Sequence, residues 1–529
     1  MPALIRKAVA ADAPKWIDLI KSTVGEDYPD KQVYNPTWVA SQFAPGADVE
    51  TWVADDNGNV LASASFLPPL PGNNNPVANV GRYMNRPGAY NDGSAAALIK
   101  HLGDLSVQRK QLVISRVFAA DNQSQVLHEQ AGFVCVGFQP FKHMHRHREG
   151  VLFYYRLGRP DIVKRLAISE SLPQISELAS KVLHGLNLGD PAKVRDGATG
   201  YPLQSELKIT DATLDDFELW RMQAQSHNPP IEISGFYNQG QGYFRIAAST
   251  TPRALLVAKN GKYLAGVAYV FDEIDRCVRL VDSFSQDDVS MGALFHYITK
   301  HLQAQFNAVY IEADMLMTAP RLLKTAEQLG FVPIAYLPAI YTKDDAQADV
   351  VKMIKLNIVY SNDEAALTSQ SKAVASIIDN NFQDQKVGVA IINLLRALPF
   401  FEGLGDGELR KIARLFTQKL YRPGERVFDK GDVSNEAYVI MRGQIDIVLE
   451  EGAKPIATLT NGQILGEMAF LDPSPRTAMA VANQASILIV IQRSAFNELV
   501  QHEPHLGMVV VRNIAVELTN RLRKAQSKK

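Results

Sequence analysis

Two clusters of side chains carry more chemistry than a fold requires. Near the C-terminus, Gly466-Glu467-Met468-Ala469-Phe470-Leu471 is followed by Arg476-Thr477-Ala478. A short helix opening just after Gly466 would point unpaired backbone N–H groups at an anion, and Arg476 would add a charge-assisted contact able to reach two oxygens at once. Neither Glu467 nor Arg476 is needed for a β-turn, and both would be costly if buried without partners. In the first third, His128 sits in Asn122-Gln123-Ser124-Gln125-Val126-Leu127-His128-Glu129. A histidine near neutral pKa can serve as a general acid, and one at this helical position can equally be a packing residue. Alternate histidines in Lys142-His143-Met144-His145-Arg146-His147-Arg148 would share one face of a strand. Interleaved cations and a single nearby carboxylate, Glu149, make a poor metal cage, so no metal is expected there. A basic lip beside a binding site and a solvated loop are the readings left.

The elements that must position these residues follow from length and texture. At 529 residues the chain exceeds one hydrophobic core, and about three domains are expected. With 46% hydrophobic and 21% charged residues and a formal net charge of −1, the composition is that of a folded globular chain. It gives no global preference for nucleic acid or membrane surfaces. Two distant cysteines, Cys135 and Cys277, exclude a disulfide framework and fit a reducing compartment. The N-terminus lacks the apolar stretch of a signal peptide and no run of about eighteen apolar residues occurs. A soluble, cytoplasmic protein is expected, with no membrane partner.

Residues 1–158 mix amphipathic stretches with β-rich runs such as VLASASF, QLVISRVFA and GVLFYYRL, as in an α/β sheet domain. Residues 163–356 begin the pattern again. Leu98-Ile99-Lys100-His101-Leu102 is echoed by Ile298-Thr299-Lys300-His301-Leu302, and Gly132-Phe133 by Gly330-Phe331, which points to duplication. Residues 357–392 are polar and alanine-rich, as in a helical connector. From 393 to 525, short strands separated by glycine-containing turns indicate an antiparallel jelly roll, closed by a terminal helix from about 494 to 525.

The C-terminal segment resembles the cyclic-nucleotide-binding domains of kinase regulatory subunits, gated channels and the catabolite activator family. The resemblance runs through LPFFEGL at 398–404, Pro423-Gly424-Glu425, Phe428-Asp429-Lys430-Gly431-Asp432, AYVIMRGQIDI at 437–447 and the Gly466-to-Ala478 cassette, about 125 residues in all. It implies that Arg476 reads the cyclic phosphate of cAMP or cGMP, that Glu467 accepts from the ribose 2′-hydroxyl, and that Gly466, Met468, Ala469 and Thr477 line the ligand. Leu465 replaces the usual aromatic residue. No helix-turn-helix follows the last helix, so direct DNA binding is not expected, and a homodimer through that helix is.

Residues 80–138 resemble the core of GNAT acyltransferases. The resemblance implies that Tyr90, Gly93, Ser94, Ala95 and Asn122 bind acetyl-coenzyme A, the small residues letting a pyrophosphate approach backbone N–H groups. It also implies that His128 stands where a tyrosine protonates the departing thiolate. The strand of about Val77 to Asn85 offers Asn79 and Tyr83 but no carboxylate base, leaving Tyr83 as its candidate catalytic side chain. In residues 163–356, Ala293 is expected in the place of Gly93 and Pro320 in that of Asn122, with Asp287 and Asp288 repelling a pyrophosphate: a degenerate second GNAT-like copy.

The expected architecture is therefore multidomain α/β plus β. The expected function is a cyclic-nucleotide-regulated N-acyltransferase acting on a protein lysine or small amine. The alternative is a non-enzymatic cyclic-nucleotide-responsive signalling or scaffold protein.

Overall fold

A computed structural model describes the chain apart from residues 1–2, 27, 29–30, 68–76, 87, 110–111, 145–147, 159–164, 167, 169–170, 191–199, 204–206, 226–251, 260–261, 344–345, 359, 361–364, 387–388, 405, 414, 468–473, 503 and 527–529. The chain divides into two compact units, Met1–Asn381 and Phe382–Lys529.

The first unit is built on one fourteen-stranded sheet. Its strands are β1 (Leu4–Lys7), β2 (Glu50–Asp56), β3 (Asn59–Leu67), β4 (Val77–Asn85), β5 (Leu112–Phe118), β6 (Val134–Met144) and β7 (Arg148–Leu157), then β8 (Lys208–Ala212), β9 (Pro252–Lys259), β10 (Lys262–Asp272), β11 (Cys277–Ser285), β12 (Tyr310–Leu316), β13 (Val332–Lys343) and β14 (Ala346–Leu356). The order across the sheet is β1-β2-β3-β4-β5-β7-β6-β13-β14-β12-β11-β10-β9-β8. Read inward from either edge, the second seven strands repeat the order of the first seven. Each half has one parallel pair, Val77–Val80 beside Leu112–Ser115 and Cys277–Leu280 beside Tyr310–Ala313. These pairs lie at the centre of each half, and β5 and β12 are buried almost throughout, as strands covered on both faces must be.

The halves join where β6 runs antiparallel to β13, with Gly137 opposite Ala335. A Cβ on Gly137 would lie 2.2 Å from the Ala335 Cβ, so this approach requires glycine. Just beyond, Phe141 and Ala339 both take left-handed backbone (φ 53° and 56°), each directly after a proline and each at a register shift. A side chain in that conformation costs energy, and the same irregularity at an offset of 198 residues marks the same local bend in both halves.

The echo in sequence does not align every position as expected. Gly93 is the left-handed N-cap (φ 79°) of the helix Ser94–Gln108. Ala293 lies inside the helix Asp288–Tyr297, whose N-cap is Asp287. The counterpart of Gly93 is therefore Asp287, not Ala293. The discrepancy has a structural source: Gly93 precedes Leu98 by five residues whereas Asp287 precedes Ile298 by eleven, so the second helix begins earlier relative to the shared pentapeptide. Asn122 and Pro320 do correspond, each the first residue of a nine-residue helix.

The second unit contains β15 (Phe416–Tyr421), β16 (Arg426–Phe428), β17 (Glu436–Arg442), β18 (Gln444–Val448), β19 (Ala457–Thr460), β20 (Ile464–Leu465), β21 (Met479–Ala482) and β22 (Ser486–Gln492). They form two four-stranded sheets, β15-β22-β17-β20 and β16-β21-β18-β19. Tyr438, Ile440, Ile445, Leu465, Leu488 and Val490 fill the space between them. A second cluster, including Leu395, Phe400, Phe401, Leu409, Phe496, Leu506 and Ile514, packs the flanking helices against the outer face. The single terminal helix expected from the sequence is two, Arg493–His502 and Pro504–Gln526. Pro504 explains the division, because proline is accommodated in a first helical turn and not within one. Among the described residues no helix is long and apolar enough to cross a membrane.

Candidate functional site

In the barrel, Arg476 follows the residues that lead from β20 to β21 and turns inward, with only 8% of its surface exposed. Its Nε donates to Ser434 Oγ at 2.9 Å, one terminal nitrogen donates to the Gly466 carbonyl at 3.1 Å, and the other donates to the Glu436 carbonyl. The guanidinium lies 4.4 Å from the centre of the Phe428 ring. All three acceptors are neutral, and among the described residues no carboxylate lies within salt-bridge distance of Arg476. Burial lowers its pKa, opposed by Tyr438, Glu436, Glu467 and Asp432. Among the described residues, three of the five N–H groups meet acceptors and one on each terminal nitrogen has none.

Gly466 (φ 74°) is what allows this packing, because a Cβ there would come within 2.4 Å of an Arg476 terminal nitrogen. Glu467 is 7% exposed and adjoins the same turn, so a buried acid and a buried base converge. Thr477 is exposed beside them. Met468 and Ala469 lie outside the described residues. Ser434 and Phe428, which orient the guanidinium, were not anticipated. Phe428 was visible in sequence only as part of a turn, and nothing local ties Ser434 to a residue 42 positions away.

Residues 418–503 match the family described as "Cyclic nucleotide-binding domain". The barrel is a cyclic nucleotide-binding domain. The chain is 30% identical over 134 residues to the cyclic AMP receptor protein of Thermus thermophilus, covering 25% of this chain and 60% of that protein. It is 29% identical over 130 residues to glutaminase 1 of Bradyrhizobium diazoefficiens, covering 25% and 21% respectively. A cAMP-dependent protein kinase regulatory subunit of Colletotrichum orbiculare is 30% identical over 107 residues, covering 20% and 27%. Each match thus spans less than two thirds of the relative. The solved catabolite activator protein of Thermus thermophilus matches at 30% identity with a TM-score of 0.23, covering 25% of this chain and 61% of that one.

In the first half of the α/β unit, most of the polar groups beyond the parallel pair bond to one another. The paired register of β4 and β5 ends at Val80 and Ser115, while the strands continue to Asn85 and Phe118. Tyr83 and Tyr90 stand in this region beside the helix Asn122–Gln130. Tyr90 OH donates to Asp121 Oδ2 at 3.0 Å and lies 2.8 Å from Ser124 Oγ, which itself donates to Asp121 Oδ2 at 2.6 Å. Burial raises the pKa of both tyrosines, keeping their hydroxyls protonated. Among the described residues, the Tyr83 hydroxyl is buried without a hydrogen bond of normal geometry.

His128 is completely buried, which corrects the expectation of a side chain that meets substrate. Its Nδ1–H donates to the Ser124 carbonyl at 2.7 Å, so Nε2 is the acceptor for Ser115 Oγ at 2.9 Å. The rings of Tyr83, Phe133 and Tyr154 surround it. Burial pulls its pKa down to about 4, leaving it neutral near pH 7 with its one proton committed to a carbonyl.

The expected coenzyme loop is also internally satisfied. The Ser94 N–H goes to Asp92 Oδ1 at 2.8 Å and the Ala95 N–H to the Ala89 carbonyl at 3.3 Å. Gly93 retains open space where a Cβ would stand. Asn122 Nδ2 donates to the Ala366 carbonyl at 3.1 Å, an acceptor more than 240 residues away in sequence.

The basic lip is corrected in part. Lys142 is buried, with Nζ 3.0 Å from Glu312 Oε2, and His143 Nδ1 is 3.0 Å from Asp275 Oδ2. Both carboxylates come from the second half, so these two side chains fasten the halves together. His145, Arg146 and His147 lie outside the described residues. Among the described residues no group of histidine, cysteine and acidic side chains could hold a metal ion.

Proposed function

We propose that the protein is a cyclic-nucleotide-regulated N-acyltransferase, in which ligand in the C-terminal domain changes the activity of residues 1–158. The observation that carries the regulatory part is Arg476, a buried cation whose acceptors among the described residues are all neutral oxygens, with two N–H groups that meet no acceptor among those residues. A buried guanidinium bonded to neutral oxygens, with acids nearby but none in a salt bridge among the described residues, favours an added anion, and a cyclic phosphate is one. cAMP is the preferred ligand of this reading, supported by the names of the Thermus and Colletotrichum relatives, with cGMP as the comparison.

Acetyl-coenzyme A is the proposed co-substrate and a protein lysine or small amine the acceptor. Support comes from the resemblance of residues 80–138 to GNAT acyltransferases and from the position of Tyr83 and Tyr90 beyond the paired ends of a parallel strand pair, where α/β sheets bind ligands. With His128 sealed, protonated Tyr83 is the better candidate to donate a proton to a departing thiolate. Residues 163–356 act as the degenerate copy, residues 357–392 as the connector and 393–525 as the sensor. Exposed Met508, Val511 and Val516 on the helix Pro504–Gln526 support pairing of two subunits through that helix.

A second reading, a non-enzymatic cyclic-nucleotide-responsive scaffold, is favoured by the internal satisfaction of Ser94, Ala95 and Asn122. Calorimetric titration with acetyl-coenzyme A, with and without cAMP or cGMP, separates the two. Coenzyme binding whose affinity changes with nucleotide supports the enzyme; nucleotide binding without coenzyme binding in either state supports the scaffold. Arg476→Ala is expected to abolish the nucleotide response and spare coenzyme binding. A normal response in that variant overturns the site.

A further inference from the structure

The segment just before the helix Ser369–Lys386 lies along the helix Asn122–Gln130. Ala366 N–H donates to the Ala119 carbonyl at 2.9 Å, and the Ala366 carbonyl accepts from Asn122 Nδ2 and Gln125 Nε2, both at 3.1 Å. Gln125, fully buried, accepts at Oε1 from Thr368 N–H at 3.2 Å and Ser371 Oγ at 2.8 Å. Thr368 Oγ1 donates to Glu129 Oε1 at 2.5 Å, and Cys135 N–H donates to the Gln370 side chain at 2.7 Å. Seven hydrogen bonds thus tie four of the six residues 366–371 to one helix and its flanks. Thr368 and Ser371 also cap the helix they begin: Thr368 N–H donates to Ser371 Oγ at 2.9 Å and Ser371 N–H to Thr368 Oγ1 at 3.2 Å.

Two features set this contact apart from ordinary packing. Ala366 and Ser369 are exposed and Leu367, Thr368 and Gln370 half-buried, with Ser371 fully buried, so most of the segment lies at the surface and polar contacts carry much of its attachment. The helix it starts is also the covalent route from the α/β unit to the cyclic nucleotide-binding domain, since Asn381 ends one unit and Phe382 begins the other. Polar clasps of this kind exchange readily for water, whereas apolar contacts do not.

We propose that residues 366–371 are a strap that cyclic nucleotide releases, uncovering Asn122 and Gln125. This rests on the regulatory reading above and names the element that carries the signal. The strapped and released states must differ in nucleotide affinity, because equal binding shifts no equilibrium. An extended ligand bearing an amide can make the bonds that Ala366 now makes, donating to the Ala119 carbonyl and accepting from Asn122 and Gln125. Strap and ligand therefore compete, and the nucleotide acts by removing the competitor.

The test is hydrogen exchange in the full chain, read by mass spectrometry on peptides covering 365–371, with and without saturating cAMP. Exchange is expected to speed up at least tenfold with cAMP, and not at all in Arg476→Ala. Ala366→Pro, which deletes the N–H donated to Ala119 and leaves Asn122 and Gln125 intact, is expected to exchange quickly without nucleotide. It is also expected to bind acetyl-coenzyme A about tenfold more tightly than the unaltered chain, with no further gain from cAMP. Unchanged exchange in a chain whose titration shows bound cAMP overturns the strap. Equal coenzyme affinity in both chains, despite faster exchange in the variant, overturns the competition. If cAMP releases the segment but neither chain binds acetyl-coenzyme A, the strap stands and the acyltransferase reading falls.

Discussion

The two halves of the fourteen-stranded sheet share a strand order and differ in what fills the space beyond their parallel pairs. In the first half, Ser115, Asp121, Ser124 and His128 form a continuous polar cluster with Tyr90. At an offset of 198 residues the second half has Ala313, Ala319, Leu322 and Ala326, all buried. The same backbone is therefore stable with an apolar filling, and the fold alone does not account for the first half's polar groups. Buried polar side chains are tolerated when every partner is present, and they cost more than apolar ones when a partner is lost. Their retention in one half only is what makes that half the candidate for binding.

The most damaging test of this contrast strikes the seam. Glu312 is fully buried; burial works to raise its pKa, but Arg279, Lys142 and Lys352 hold it well below the usual carboxylate range. Glu312→Gln is expected to cost about 3–5 kcal/mol in denaturant unfolding, since it strands the buried Lys142 opposite a neutral group. A loss below about 1 kcal/mol would show that the halves do not depend on this charge.

His128→Gln is expected to cost about 2–3 kcal/mol at pH 7 by breaking a satisfied buried pair, whereas the reverse polarity at Ala326 already exists in nature's second half. The variant also has a pH signature. His128 is neutral in the fold down to about pH 4 and titrates near 6.5 when unfolded, so the unfolded chain binds the proton first. Its contribution is present above pH 6.5 and lost as pH falls from 6.5 toward 4, on the order of 3 kcal/mol in all. Stability curves of the two chains, compared at pH 7 and pH 5, should converge as pH falls; parallel curves would mean that His128 is not sealed as described.

A smaller effect is expected at Gly93. Its left-handed backbone with open space around it predicts that Gly93→Ala costs about 1 kcal/mol through strain alone, while Asp287, at the matching cap, takes extended backbone and should tolerate Ala except for the loss of its bond to Ser290. Smallest of all, Lys100→Ala breaks an exposed pair with Asp104 and should change stability by no more than about 0.5 kcal/mol.

Much of this was legible in the sequence. The strand Val77–Asn85, the Gly-Phe turns at 132 and 330, and the convergence of Gly466, Glu467 and Arg476 follow from local pattern: alternation, left-handed glycines and a charged cassette. The cap formed by Asp121 on Ser124 also has a short-range signature, an acidic residue three positions before a helix-start serine, that was there to be read. The burial of His128 was not legible, because two of the three rings that seal it, Tyr83 and Tyr154, come from β4 and β7. Nor was Ala366 on Asn122, since a backbone carbonyl leaves no trace in side-chain types. The equivalence of Ala293 and Gly93 failed because a repeated pentapeptide fixes one point of a helix and says nothing of where the helix begins.

The contact of Gly137 with Ala335 has a consequence for anyone who would dissect the chain. Because β6 and β13 pair in the middle of the sheet, cutting after residue 158 would turn an interior strand into an open edge. That edge would present unpaired backbone groups alongside Gln139 and Lys142, stripped of Glu312. Such an edge recruits other strands, so the isolated fragment is expected to self-associate or precipitate. Expression of the two halves as one piece is the practical unit for study.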